Sequence, residues 1–348
     1  MLRFFKELIR AAGWPRVIIG LFLLSLFLIA AFVNVRIVAS LSDVLVRVGM
    51  NGIMVLAMIP MIKSGCGLNF GLPLGIIAGL LGVCLSLEME FRGIAGICIA
   101  LLVAVPLAAA VGYFYGLLLN RVKGGEMMIA TYVGFSAVAL MCIGWMLLPF
   151  SSPVMVWGFS GVGLRTTISV EGFMQEVLSG FLSFRIGEFF YFPTGMFLFF
   201  GAACLFMHYF FRSRTGMSMT AVGKNPDFAR ASGVSVDRMR TVSVILSTIL
   251  AAVGIIVYQQ SFGFIQLYMG PFYMAFPAVA AILLGGASLK NATLVHVVVG
   301  TFLFQGIVTM APSVINSLVK SDMSEVIRIV VSNGMILYAL TRKEILKR

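Results

Sequence analysis

Groups able to make or break covalent bonds are scarce in this chain. Five cysteines, Cys66, Cys84, Cys98, Cys142 and Cys204, lie in or beside apolar runs at spacings that suit no zinc site, so they read as small packing residues. The two histidines, His208 and His296, stand far from any metal-like partner in sequence. There is no G-x-x-x-x-G-K-[ST] phosphate loop, because Gly223-Lys224 continues with Asn225, and no catalytic-triad signature. What remains is non-covalent chemistry, concentrated between Ser213 and Arg240 in SRTGMSMTAVGKNPDFARASGVSVDRMR. Asn225 suits an N-cap, since its side-chain oxygen can accept from an orphan backbone N–H. Pro226 suits the first helical position, where its missing donor costs nothing. Asp227 complements the positive end of a helix, Arg230 sits near its other end, and Gly233 can close it in a left-handed conformation. A helix of about two turns is not stable alone in water, so tertiary contacts or a partner must hold it. Phe228 and Ala231 share one face of it. An ordinary turn between apolar helices needs neither the cap nor an exposed phenylalanine, so the segment reads as a docking knob for another protein.

The elements that carry this knob follow from composition. The 348 residues are 60% hydrophobic and only 11% charged, with a mean hydropathy of +1.06. Soluble domains carry roughly 25% charged residues. The fold class expected is therefore an all-α polytopic membrane protein. A spanning helix needs about 20 mainly apolar residues, and ten segments supply them: 17–33, 44–62, 68–87, 93–119, 127–150, 191–211, 241–262, 273–289, 292–312 and 323–341. The third and eighth are weakest, being rich in glycine or proline. With the N-terminus in the cytoplasm, eighteen of the 25 lysines and arginines fall on the inner side and five on the outer. This bias predicts ten spans with both termini cytoplasmic. The net charge of +12 is accounted for by these flanking residues, and no nucleic-acid face is expected. The first apolar run has the basic flank of a signal peptide but too long a core, so it reads as an anchor. The whole of 1–348 reads as one transmembrane domain, with a cytoplasmic loop at 212–240 and a long outer segment at 151–190. In that outer segment Val170, Phe173, Met174, Val177, Leu178 and Phe181 recur at helical spacing. They predict an amphipathic helix, either lying on the membrane or serving as a lid or dock.

Four separated blocks resemble the permease subunits of bacterial ABC importers, in the branch serving ribose and other simple sugars, nucleosides and branched-chain amino acids. Lys63–Gly75, KSGCGLNFGLPLG, is similar to the glycine-rich block after the second span. It has Gly67 and Asn69 where sugar permeases show Asp and Ser, and its Leu68-Asn69-Phe70-Gly71 looks closer to the nucleoside permeases. Gly116–Thr131 resembles the family's basic turn and the start of the next span. Gly223, Asn225, Pro226, Ala229, Arg230, Gly233 and Val234 match G-x-N-P-x-x-A-R-x-x-G-I. Ala280–Leu289, AAILLGGASL, is similar to A-x-x-L-G-G-x-S-L, where Gly285 and Gly286 would permit close helix packing.

The resemblance implies a multi-pass protein of the bacterial inner membrane that is not itself an enzyme. Its coupling residues would be Gly223, Asn225, Pro226, Asp227, Phe228, Arg230 and Gly233, seated in a groove of a cytoplasmic ABC ATPase. ATP and Mg would be bound by that ATPase, with no cofactor on this chain. A second permease subunit, a copy or a related chain, and an extracytoplasmic solute-binding protein would complete the assembly. A path for a neutral polar solute, a simple sugar or nucleoside, needs uncharged polar groups and aromatic faces. Candidates are Asn51, Asn69, Phe70, Thr131, Tyr132 and Gln305, with Ser64, Tyr258 and Gln259 beside them. The competing readings are an ion-coupled secondary carrier and a non-transporting membrane scaffold. The carrier is disfavoured by the absence of mid-membrane carboxylates: Asp43/Arg47 and Glu325/Arg328 sit near helix starts, where such residues snorkel.

Overall fold

A computed structural model describes residues 14–33, 35–156, 163–187, 189–319 and 323–345. The basic residues Arg3, Lys6, Arg10, Lys320, Lys347 and Arg348 that entered the orientation argument lie outside them. The helices in chain order are α1 (Trp14–Phe32), α2 (Ile37–Leu56), α3 (Met58–Lys63), α4 (Leu72–Glu88), α5 (Gly93–Arg121), α6 (Glu126–Leu147), α7 (Val177–Gly180), α8 (Thr194–Arg212), α9 (Arg214–Lys224), α10 (Pro226–Ala231), α11 (Val236–Phe262), α12 (Gly270–Leu284), α13 (Leu294–Val319) and α14 (Ser324–Ile345). Among the described residues six stretches are long and apolar enough to cross a membrane: Ile37–Lys63, Gly93–Arg121, Glu126–Leu147, Thr194–Arg212, Val236–Phe262 and Leu294–Leu318. Arg16–Phe32, Leu72–Glu88 and Gly270–Leu284 are shorter apolar helices. The protein is a helical, polytopic membrane protein. The break between α2 and α3 falls at Ala57, because Pro60 has no N–H to offer the Leu56 carbonyl.

The all-α class holds, with short strands in the connecting segments of the described residues. Four three-residue strands, β1 (Thr167–Ser169), β2 (Phe184–Ile186), β3 (Phe190–Phe192) and β4 (Phe264–Gln266), pair antiparallel as β1–β4 and β2–β3. The amphipathic helix expected at 170–181 is corrected. Only its last turn, α7, is helical. Gly172 and Glu176 take φ of 75° and 57°, and these left-handed residues stop a helix from propagating through them. The apolar periodicity had a different cause: Val170 and Met174 are fully buried against the end of the bundle. Gln260 on α11 holds the segment there, its side-chain oxygen accepting from Leu178 N at 3.0 Å and its backbone carbonyl from Glu176 N at 2.7 Å.

α4, α5 and α11 pack closely on one another, and glycines set their separations. A Cβ on Gly75 would meet the Ala251 Cβ at 2.7 Å, and one on Gly79 would meet the Ala252 carbonyl oxygen at 2.6 Å, both on α11. A Cβ on Gly82 would meet the Ala104 Cβ at 2.9 Å on α5. Along α5, Gly112 and Gly116 stand equally close to Ile245 and Thr241 of α11. In hydrocarbon there is no hydrophobic force between helices, so this close approach supplies the attraction. The third predicted span, weak by hydropathy because of its glycines, is thus one of the most enclosed helices.

The long helix α11, about 40 Å from end to end, fixes the two faces of the molecule. The 151–190 segment rests on its C-terminal end through Val170 N to Gly263 O at 3.1 Å and through the β1–β4 pair. The 213–235 segment leads into its N-terminal end. Lys63, Arg121, Lys123, Arg212, Lys224 and Lys290 all sit at the helix ends and turns of that N-terminal side. The knob and the long loop therefore occupy opposite ends of the bundle.

Replacing Gly79 by valine should lower the stability of the purified chain by about 1–3 kcal/mol, the usual cost of overpacking. Gly201→Val on α8, where nothing lies within 4 Å of an added Cβ, should leave it unchanged. Thermal unfolding in detergent compares the two.

Candidate functional site

The segment leaving α8 folds as two short helices, not one. Ser213 caps α9, its Oγ accepting from Gly216 N at 3.3 Å. This helix has no counterpart in the span assignment, whose sixth segment ends at Phe211. α10 follows at once. Asn225 caps it, with Oδ1 accepting from Phe228 N at 3.0 Å, and Pro226 takes the first helical position. At its far end Gly233 has φ of 79°. There Gly233 N donates to Arg230 O at 3.0 Å and Val234 N to Ala229 O at 2.9 Å. This is the paired 5→2 and 6→1 closure of a Schellman motif.

The inner side of α10 is fixed to the bundle. Ala229 is buried with Val222 of α9 and Val236 of α11, flanked by Val234 and Met239. The outer side is bare. Phe228 is 67% exposed, and Asp227, Arg230 and Ala231 are exposed with it. Asp227 and Arg230 lie 3.3 Å apart in a solvent-facing i,i+3 pair, so the phenylalanine is framed by one acid and one base.

Beneath the knob, α9 meets the glycine-rich turn after α3. A Cβ on Gly223 would collide with the Lys63 carbonyl and stand 2.9 Å from Gly65 N. Glycine is required at Gly223 by this backbone-to-backbone contact. Gly65 and Gly67 in the turn have φ of 81° and 82°, accessible without strain only to glycine.

The same turn is stitched to α11 by buried polar contacts. Ser64 Oγ lies 2.6 Å from Ser243 Oγ, and Asn69 Nδ2 donates to Ser247 Oγ at 2.7 Å. Ser247 Oγ in turn donates to Ala57 O at 2.5 Å, and Tyr115 OH to Asn69 Oδ1 at 3.3 Å. Arg240 pairs with Glu126 at the start of α6, and its Nε lies 3.3 Å from Cys66 Sγ. Both charged side chains are largely buried, at 9% and 15% exposure. Arg240, Ser243 and Ser247 form one stripe of α11 at spacings of three and four residues. Sequence reasoning counted Arg240 only as a flanking charge and quoted Glu126 only within a motif. The missed signal was that stripe of polar residues running into an apolar helix.

The expected path residues lie in different settings. Asn69 is wholly buried in the network just described. Asn51 Nδ2 donates to Arg47 O, and Thr131 Oγ1 to Met127 O, each at 2.9 Å within its own helix. Gln305 is buried on α13, while Tyr132 on α6 is 61% exposed. Phe70 joins an aromatic group with Phe276 and Phe272 of α12 and Phe135 of α6, at centroid separations from 4.6 to 6.3 Å. Gln259 on α11 is wholly buried, and neither atom of its amide has a partner among the described residues. Gly285 and Gly286 sit where α12 turns toward α13. A Cβ on Gly285 would strike His296 O and stand 2.9 Å from the Gly300 Cα, and Arg16 Nη2 donates to Gly286 O at 3.1 Å. Among the described residues no group of histidines, cysteines or carboxylates could hold a metal ion.

Residues 40–340 match the family described as branched-chain amino acid transport system / permease component. The chain is 23% identical over 239 residues to the autoinducer 2 import system permease protein LsrD of Yersinia enterocolitica. That alignment covers 67% of this chain and 62% of the relative, less than two thirds of its length. No solved structure matches.

Because removing one partner of a buried ion pair strands the other charge, Arg240→Met or Glu126→Leu alone should destabilise the chain by about 3–5 kcal/mol. The double variant should recover most of that loss. A double-mutant cycle on unfolding free energies measures the difference.

Proposed function

The chain belongs to the branched-chain amino acid transport system / permease component family, and from that premise we propose that it is the membrane-spanning permease subunit of an ABC importer. It is a multi-pass inner-membrane protein. In the proposed assembly it crosses ten times with both termini in the cytoplasm, and α10 is the coupling helix. A cytoplasmic ATPase binds ATP and Mg and seats α10 in a groove. A second permease subunit and an extracytoplasmic solute-binding protein complete the machine. This chain makes and breaks no covalent bond. The observation that carries the reading is α10 itself: capped at both ends, fastened on one side by Ala229, and presenting Phe228 bare on the other.

The solute is a small neutral polar molecule of the simple-sugar kind. The similar Yersinia permease is named for autoinducer 2 import, which supports a small solute. Two features of the bundle support the same class. Phe70, Phe135, Phe272 and Phe276 group together with Tyr132 one turn before Phe135, giving apolar ring faces suited to a sugar's C–H surface. Gln259 offers an unpaired amide without a charge. Buried amides cost free energy unless bonded, so an unpaired one in a transporter is a candidate contact for a transient hydroxyl-bearing guest. The opposite placement of the knob and the 151–190 loop suits ATPase and binding-protein docking at the two ends.

Phe228→Asp should leave membrane insertion and thermal stability of the chain intact. It should abolish both co-purification of the ATPase and solute uptake in cells. Normal uptake in this variant would refute the docking role. Gln259→Leu should keep ATPase co-purification and raise the concentration for half-maximal uptake several-fold, as expected when a bound hydroxyl loses its partner. Unchanged uptake kinetics would remove Gln259 from the path.

A further inference from the structure

At the basic end of the bundle two adjoining cavities share Lys63. One, of about 390 Å³, lies where α3, α8 and α13 meet, and Ile59, Phe211, Leu294 and Val295 give it an apolar wall, with His208 and Arg212 at its rim. The other, of about 340 Å³, is lined by Lys63, Lys224, Lys290, Thr220 and Asn291. We propose that the pair is a binding site for one anionic phospholipid, its phosphate held by Lys63, Lys224 and Lys290 and an acyl chain lying along Phe211, Leu294 and Val295.

Charge carries the first half of the argument. Three lysines line one small cavity, and among the described residues none forms an ion pair with a carboxylate. Asn291 adds an uncharged amide donor, while the Thr220 hydroxyl is spent on the Gly216 carbonyl at 2.9 Å, so three ammonium groups and one amide supply the donor set of a phosphodiester site. Lys63 is turned toward its neighbour, with Nζ 4.2 Å from the centroid of the Phe211 ring. The ring thus joins the basic compartment to the apolar one.

The apolar wall carries the second half and selects a lipid over a free anion. It continues onto the outward surface of the bundle, where Val295 is 65%, Val298 47% and Leu205 55% exposed. Inorganic phosphate would use only the basic compartment and leave this wall unexplained. A lipid uses both, and it arrives from the bilayer that the exposed faces of α8 and α13 already contact. The site has a mechanical setting too. Lys224 is the last residue of α9 and precedes the Asn225 cap, while the Lys63 carbonyl is the atom against which Gly223 packs. A phosphate between Lys63 and Lys224 clamps the joint on which α10 is mounted. The inference requires that the bundle crosses a membrane. It does not depend on the solute or on ATPase docking.

The test is native mass spectrometry of the full-length chain released from detergent micelles containing equal amounts of phosphatidylglycerol and phosphatidylethanolamine. Phosphatidylglycerol should be retained in preference. Each of Lys63→Gln, Lys224→Gln and Lys290→Gln should weaken that preference about five-fold, the share of one basic side chain at a membrane surface. Arg185→Gln, at the other end of the bundle, should leave it unchanged. Millimolar inorganic phosphate should not displace the lipid, and Val295→Asp should weaken retention with all three lysines in place. Equal retention of the two lipids, retention unaffected by Lys290→Gln, or full displacement by phosphate would each overturn the proposal. Lys290 is exposed, so its variant separates loss of the site from loss of the fold.

Discussion

Helices immersed in hydrocarbon gain nothing by hiding apolar side chains from one another, so a bundle in a membrane holds together where backbones can touch. Here that condition is met along α4, α5 and α11. Gly75, Gly79 and Gly82 line α4, and Gly112 and Gly116 line α5, each at a point where a methyl group would overlap a neighbouring helix. Gly254 on α11 extends the pattern to α2, where its Cβ would meet the Met54 side chain at 2.8 Å. Large apolar residues such as Trp145, Phe304 and Ile53 fill the rest of the interior, and others cover the outside, where Leu102, Leu140 and Leu147 are more than two-thirds exposed.

Close backbones leave little room for water, and that makes the polar contacts around Arg240 consequential. An ion pair shielded from water gives back in attraction roughly what it loses in hydration. The Arg240–Glu126 pair therefore contributes chiefly geometry. It fixes the start of α6 against the first turns of α11, while Ser243 and Ser247 fix the glycine-rich turn against the same helix. With the Cys66 sulfur of the same turn also in contact with Arg240, two separate parts of the chain are referenced to one face of α11. The position of α11 relative to the knob is thereby set by hydrogen bonds of defined length, not by apolar contact that could slide.

Local structure was legible in the sequence wherever a single residue type enforces it. The cap at Asn225, the proline at the first helical position and the left-handed closure at Gly233 follow from short-range chemistry and stand as read. Apolar runs located the long helices for the same reason, since length and hydropathy are properties of a segment alone. The failures share a different cause. The 170–181 periodicity is real, but it reflects burial of Val170 and Met174 under the end of α11, a tertiary fact invisible in a helical wheel. Glycine lowered the apparent strength of α4 because hydropathy scores a missing side chain as weakness, although its absence is what admits α11. The Arg240 network was hidden because its members come from positions 64, 69, 115, 126, 240, 243 and 247, and no local window contains them. Residue type also does not say which side chains already bond one another, as Asn69 does with Ser247 and Tyr115.

A knob that transmits force must be stiffer than the contact that pushes it. Six residues of helix would not supply this stiffness in isolation, yet α10 has nowhere to yield. Its first turn is held by Asn225, its last by the two bonds that Gly233 and Val234 make, and its underside by Ala229 against Val222 and Val236. The preceding helix is pinned by Gly223 against the Lys63 carbonyl, and the following one begins at Val236, within the same apolar contact. A load on Phe228 is therefore borne by α9 and α11 together, and α11 is the helix to which the glycine turn, α5 and α6 are all fastened. Softening any one of these joints, by a side chain at Gly223 or a polar group at Ala229, would let the knob tilt while α11 stood still. In the proposed coupling role the short helix and the buried stripe on α11 would be one device, the first receiving displacement and the second distributing it through the bundle.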